Sequence, residues 1–523
     1  MKKLQLFSLW IVALLVVGEL GASNLRIFNL VNTNPGSVNP ILQFNLAWDN
    51  CWRTSLAPNN YDGVWLFVKY QAVPKGTPSC QSYLEWHHAK MLNTAADFSI
   101  SGGAIPLTYS FVSDSMGIFI YPAIDTTGNT DTVTVQIRVK LPVPTGLYDN
   151  KYNFKVFGIE MVYIPTGAFQ LGDGSSTNRF NSITVDNTNY NTLWTPAFIG
   201  GGVVNNIAPG FPKGYESFWV MKYELTQVQW VEFLNTLTYT QQKARTGLTD
   251  AQMTNNPGVT GLCVYSGCAN RNGVKLITPG INPSRPATFA CDFSSAPSDP
   301  FNSQNDGQHI AMNFLSAEDL LAYLDWAALR PMTVFEYEKI CRGPAARVAN
   351  EYAWGTTDLT QASSQFLFYP GTAAEVSQVF GNGLCAYNYP SGGPLRVGFS
   401  ATATTNRVQS GSSYYGVQQM SGNVWEIVMG GINRVGNGYK LTKFNLGNGE
   451  LTSSGLFDVP NWDLYDGVYS SQYYWNWERK GGAFNTAAST LQVSDRSLNA
   501  PNYGDGNTAS YSRLSNTGGR GVR

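Results

Sequence analysis

Seven cysteines and three histidines set the first limits on the chemistry open to this 523-residue chain. Thiolates and imidazoles are the side chains that bind soft and borderline metals or act as nucleophiles and bases, so their spacing decides whether they can cooperate. Cys263 and Cys268 bracket a short glycine-containing turn that a disulfide can close. Cys51 and Cys80, alone in the N-terminal third, are candidates for a second bridge. Cys341 falls on an expected helix and reads as a buried thiol, and the odd total leaves at least one cysteine unpaired. His87 and His88 are adjacent, so on a strand they point to opposite faces. With His309 as the third histidine, no facial triad of metal ligands can be composed, and each ring is expected to be solvated or locally hydrogen-bonded. No GxSxG elbow, HExxH helix or phosphate-binding loop occurs. Glu336 and Glu338 sit in a helix start, where capping and the helix dipole explain acids without catalysis.

The elements that must carry these residues divide into two stretches. Lys2-Lys3, an apolar run from Leu6 to Val17 and the small residues Gly21-Ala22-Ser23 form an expected signal peptide over residues 1–23, implying a secreted, periplasmic or surface protein. No second long apolar run follows, so no integral membrane span is expected after processing. Residues 24–150 read as an immunoglobulin- or fibronectin-like β-sandwich. Val64–Tyr70, Gly117–Tyr121 and Val133–Val139 are rich in β-branched and aromatic residues, with turn chemistry between them. Pro142 to Asn150 is the expected linker. Beyond it, Thr226 with Gln229, Ser316 with Asp319 and Thr333 with Glu336 each begin a helix by a capping box, and Gly343-Pro344 stops the third. The segments around 173–213, 238–308 and 430–475 read as long loops. Charged residues make up 13% and the net charge is −1, so no basic excess exists to bind nucleic acid.

Five motifs in order resemble the formylglycine-generating (sulfatase-modifying factor) family. They are Gly158–Gly172, Met221–Thr226, Arg330–Glu338, Tyr415–Glu426 with its Gly422-Asn423-Val424-Trp425-Glu426 core, and Gly481–Phe484 leading to Asp495-Arg496-Ser497 and Gly519–Arg523. The resemblance implies that residues 157–523 form a C-type-lectin-like domain. The expected fold is therefore mainly β, with an α+β C-terminal part behind the N-terminal sandwich. Oxidases of that family bind copper through two cysteines shortly after the Gly-Gly strand. Here Asn485–Gln492 follows it, and no cysteine occurs after Cys385, so no copper is expected. The resemblance also implies a structural calcium site at the Gly422–Glu426 turn. Asn423 and Glu426 supply hard oxygens for it; the alternative is a turn in which Asn423 caps and Glu426 pairs locally.

Residues 485–515 contain no Lys, Glu, Met or Trp and only one Gln. This depletion is similar to the variable segments of diversity-generating-retroelement proteins on the same fold, whose last framework motif also closes the chain. On that resemblance Asn485, Asn502, Tyr503, Tyr511 and Ser512 become the adaptable contact residues. The expected function is non-catalytic recognition of a protein or glycan ligand. The alternatives are a divergent formylglycine-generating-type oxidase and a structural component of an extracellular assembly.

Overall fold

The computed structural model describes residues 24–74, 85–142, 148–175, 180–192, 207, 209–294, 298–430, 444–460, 462, 477–497 and 512–523. Its organising element is the 13-residue strand Asp62–Pro74, antiparallel to the 17-residue strand Tyr148–Ile164. Both belong to a 12-stranded sheet. Its main order is Arg26–Asn32, Ile41–Ala47, Val133–Lys140, His87–Met91, Asp62–Pro74, Tyr148–Ile164, Phe218–Met221, Gly521–Val522 and Arg330–Pro331. The expected N-terminal strands are therefore present. The boundary expected between residues 150 and 157 falls inside the Tyr148–Ile164 strand, which continues from one half of the chain into the other.

Because side chains on a strand alternate between faces, one strand can serve two cores. Val64, Leu66, Val68 and Tyr70 pack with Leu42, Phe44, Trp48, Ile118 and Ile120 in the sandwich core. Trp65 and Phe67 point the other way, into the larger core with Phe119, Ile159, Trp219, Trp326 and Leu324. His87 and His88 follow the same rule. His87 lies beside Tyr70 and Glu450, whereas His88 stacks on Phe67 and contacts the Met116 carbonyl through Nε2 at 2.6 Å.

The three expected capping boxes form at helices α1 (Gln227–Leu234), α4 (Ala317–Trp326) and α5 (Val334–Arg342), and Gly343 ends α5 at a positive φ of 59°. The loop expected over 238–308 is more structured than its sequence implied. It contains α2 (Tyr239–Thr246) and α3 (Asp250–Thr254), with capping boxes at Thr238/Gln241 and Thr249/Gln252. It also contains a three-stranded sheet of Leu262–Cys263, Val274–Thr278 and Thr288–Cys291. The missed helices have polar sequences, such as Tyr239–Thr246, whose apolar periodicity is weak; the caps were their only signal. Cys263 and Cys268 form the expected disulfide, while Cys51 is a free buried thiol and Cys80 lies outside the described residues.

Polar contacts join the two halves across the shared sheet. Trp65 Nε1 donates to the Ala327 carbonyl at 2.9 Å, and Arg523 pairs with Asp114 at 2.6 Å while lying over the Trp65 ring. Lys222 Nζ, buried, reaches Asp62 at 2.8 Å, Glu160 at 3.3 Å and the Asn50 carbonyl at 3.0 Å. Two acids against one cation leave this cluster short of positive charge. Burial pushes Glu160 up to about 7; Lys222 pulls it down and Asp62 pushes it up. Its folded pKa lies above its ordinary value of 4.5, so its stabilising contribution is complete below pH 4.5 and is lost as pH rises through about 7. Glu160→Gln removes that dependence. Urea denaturation of both proteins should show the variant gaining on the wild type between pH 5 and 7, by at most about 1.4 kcal/mol per pH unit. A stability difference that stays flat over that range would show that Glu160 titrates normally.

Candidate functional site

The turn at Gly422–Glu426 and the strand leading from it collect the motifs that sequence alone had left separate. Trp425–Met429 pairs antiparallel with Trp477–Lys480 and parallel with Thr517–Gly518. Main-chain bonds close the turn: Gly422 N donates to the Gly481 carbonyl at 2.7 Å, Asn423 N to Ala386 at 3.0 Å, and Phe484 N to the Asn423 carbonyl at 2.8 Å. Gly481 is required at φ +85°, because a Cβ there would lie 2.7 Å from the Met420 carbonyl oxygen. Asn423 adopts φ +71°, a left-handed conformation that asparagine tolerates better than most residues.

The side chains below this turn form a buried charge network. Arg520 Nε donates to Glu426 Oε2 at 2.9 Å, and Nη2 lies 2.7 Å from Oε1. The same guanidinium donates to the carbonyls of Gln418, Met221 and Lys222, at 2.8, 3.2 and 3.3 Å. One arginine therefore ties its own motif to two others. Glu224 accepts from Asn423 Nδ2 at 2.5 Å and from Val424 N at 3.1 Å. Burial pushes its carboxyl up to about 8, with Arg520 pulling it down and Glu426 pushing it up. The Arg330–Glu338 motif behaves the same way. Glu336 caps α5 and takes a two-pronged pair from Arg330 at 2.9 and 2.6 Å; Glu338 pairs with Arg342 at 3.0 Å and accepts from Gly172 N. Arg496 pairs with Glu478 over the Phe180 ring.

This geometry tests both metals that the motifs imply. Asn423 Oδ1 already accepts from Leu395 N at 2.7 Å, and both carboxylate oxygens of Glu426 face Arg520. A Ca²⁺ ion would need those oxygens and would have to sit beside a buried guanidinium, so the pair does not fit it. For copper, the turn after Gly482 offers hydroxyls that bond one another: Thr490 Oγ1 to Thr486 Oγ1 at 2.9 Å, and Thr486 Oγ1 in turn to the Ala483 main chain. These are hard oxygens and do not fit Cu(I). The free thiols Cys51, Cys291, Cys341 and Cys385 are all buried. Burial pushes Cys51 up to about 12 and raises the other three as well.

The residues expected at the ligand face are only partly within the described structure. Asn485 is half-buried, and its Oδ1 accepts from Asn516 Nδ2 at 2.9 Å, which joins it to the 512–518 segment. Ser512, also half-buried, precedes Arg513, whose guanidinium grips Asp319 at the start of α4 at 2.7 and 2.9 Å. Asn502, Tyr503 and Tyr511 lie outside the described residues. The sequence reading missed Glu224 and the Arg520–Glu426 pair, although every one of these residues stands in a motif already singled out. An Arg and two Glu in an aromatic setting signal a buried ion pair as readily as a site.

With this architecture in place, comparison with known families identifies the class. Residues 155–503 match the sulfatase-modifying factor enzyme 1-like domain, and the chain belongs to that family. Its mainly β architecture is that of a C-type-lectin-like fold. No curated protein matches the chain. Among the described residues, no helix is long and apolar enough to cross a membrane.

Glu426→Gln leaves the Arg520 charge buried without its counter-ion, and should destabilise the protein by about 3–5 kcal/mol in urea denaturation. Chelation of divalent ions should leave the melting temperature of the wild type unchanged. A drop on chelation, restored by added Ca²⁺, would return the turn to the role of a calcium site.

Proposed function

We propose that this protein is exported and recognises a protein or glycan ligand without catalysis, using a sulfatase-modifying-factor scaffold. The reading rests above all on the strand exit after Gly481-Gly482. There the residues are Asn, Thr, Ala and Ser, a hydrogen-bonding surface where a copper oxidase needs thiolates. The buried acids that such motifs bring together are held in ion pairs and caps, which serve architecture. Asn485, Asn502, Tyr503, Tyr511 and Ser512 are the proposed contacts, since Tyr supplies rigid contact area and Ser and Asn supply adaptable hydrogen bonds. The composition of residues 485–515 further supports a face that varies between relatives in the manner of retroelement-diversified proteins. Residues 1–23 would direct export.

Titration of the purified protein with Cu(I) against a competing chelator should give no stoichiometric site. Incubation with a cysteine-containing sulfatase peptide should give no formylglycine by mass spectrometry. A saturable Cu(I) site accompanied by peptide oxidation would replace this reading with that of a divergent oxidase.

A further inference from the structure

A short hairpin carries exposed surface that the folded core does not explain. Leu367–Phe368 pairs with Val376–Ser377, and Gln378 N extends the ladder to the Phe366 carbonyl at 2.9 Å. Alternation turns Leu367 inward and sends Phe366 and Phe368 outward. These two rings are 49% and 48% exposed; Tyr369, whose ring centroid lies 6.4 Å from that of Phe368, and Phe380, which follows the second strand, are 63% and 68% exposed. Four large rings in water within 15 residues are a cost that folding alone does not explain, and such patches mark interaction sites. We propose that this hairpin is an aromatic platform for a neutral glycan.

Charge selects the ligand class. From Leu359 to Leu395 the sequence holds one charged side chain, Glu375, and the acid just before that stretch, Asp358, is exposed and accepts from Asn382 Nδ2 at 3.3 Å. Glu375 is buried, bound by Arg271 and by the amides of Gly371 and Arg396 at 2.7 and 2.8 Å, and presents nothing to solvent. Exposed amides in the same stretch are Gln361, Gln365, Gln378, Asn382 and Asn388. Uncharged ring faces carry the negative end of the aromatic quadrupole and accept the polarised C–H face of a sugar ring. Neighbouring amides can bond its hydroxyls. Area argues against a protein. Rings of this type bury about 150–250 Å² each, so half-exposed to two-thirds-exposed rings offer roughly 400–500 Å². A stable protein partner needs about 800 Å² per side.

The platform adjoins the strand exit at Phe484, the residue before Asn485. Leu367 and Phe484 share one small core with Leu384, Ala386 and Leu395. Tyr389 N donates to the Phe484 carbonyl at 2.8 Å, and Tyr389 OH reaches Gln365 beside Phe366. The assignment deepens the recognition reading and rests on it.

The test is isothermal titration of the full-length protein with cellohexaose, mannohexaose and maltohexaose, with polygalacturonate as the anionic counterpart and sedimentation velocity in parallel. At least one neutral hexasaccharide should bind saturably. Phe366→Ala/Phe380→Ala and Phe368→Ala/Tyr369→Ala should each weaken it tenfold or more without moving the melting temperature, whereas Leu367→Ala, which empties the core below, should lower it. The glycan assignment is overturned if no neutral sugar binds, or if the anionic polymer is preferred. It is equally overturned if both double variants bind as well as wild type, or if the rings instead drive self-association that the same variants abolish. Formylglycine formation alongside intact sugar binding would sink the non-catalytic reading alone.

Discussion

The rest of the structure depends on the two-sided burial of the Asp62–Pro74 strand. Its even-numbered residues Val64, Leu66 and Val68 fill the sandwich, while Trp65 and Phe67 fill the domain behind it. Neither face is left to solvent, so a one-residue slip would exchange every contact in both cores at once. The two halves of the chain therefore share one strand between their cores. Lys69 follows Phe67 to the inner face, is buried, and donates to the Gly449 carbonyl at 2.5 Å. Burial pushes its amine down to about 7, with Glu450 and Asp325 opposing. A lysine is tolerated in such a place only because the register dictated by its apolar neighbours leaves it nowhere else to go.

A second tier follows from how few charges the chain has and where it spends them. Arg520 with Glu426, Arg496 with Glu478, Arg342 with Glu338 and Glu351, and Arg271 with Glu375 are all buried or nearly so. Buried pairs add little net stability over apolar packing, because desolvation offsets most of the attraction. What they do impose is geometry. The Arg520 fork accepts one arrangement of Glu426, Gln418 and the Met221–Lys222 main chain, so segments about 300 residues apart in sequence can meet in only one way. In a domain with few helices and much irregular backbone, such fixed crosslinks replace the regular ladders that would otherwise define the fold.

This division also explains what the sequence did and did not disclose. Capping boxes were legible because they are local: a hydroxyl and an amide or acid three residues apart suffice, as at Thr226/Gln229 and Thr333/Glu336. The Cys263–Cys268 bridge and the opposed histidines were legible for the same reason. Asn423 and Glu426 were legible as important but not in their partners, since Glu224, Leu395 and Arg520 are 28 to 199 positions away from them. The linker expected at Pro142–Asn150 rested on turn-forming residues. Residues 143–147 of it lie outside the described residues, and the Tyr148–Ile164 strand begins within its last three positions. The aromatic hairpin was invisible because its strands are two residues long, below any periodicity that a sequence can display.

The same physics bears on how a face on this scaffold could change without loss of the fold. Around Gly481–Thr486 the chain is held by main-chain groups: Gly481, Phe484 and Thr486 carbonyls accept from Gly422, Tyr389 and Asn388, and Phe484 N reaches Asn423. None of these bonds asks for a particular side chain at 485. The Asn485 side chain meets Asn516, one polar contact among the described residues at a half-buried position, where replacement costs far less than at a core residue. Beneath, the demanding positions are different ones: glycine at 481, phenylalanine at 484, glutamate at 426 and arginine at 520. Specific side chains in the foundation and main-chain anchoring at the rim separate the residues that determine folding from those free to determine binding, and that separation is what a recognition scaffold with an adaptable face requires.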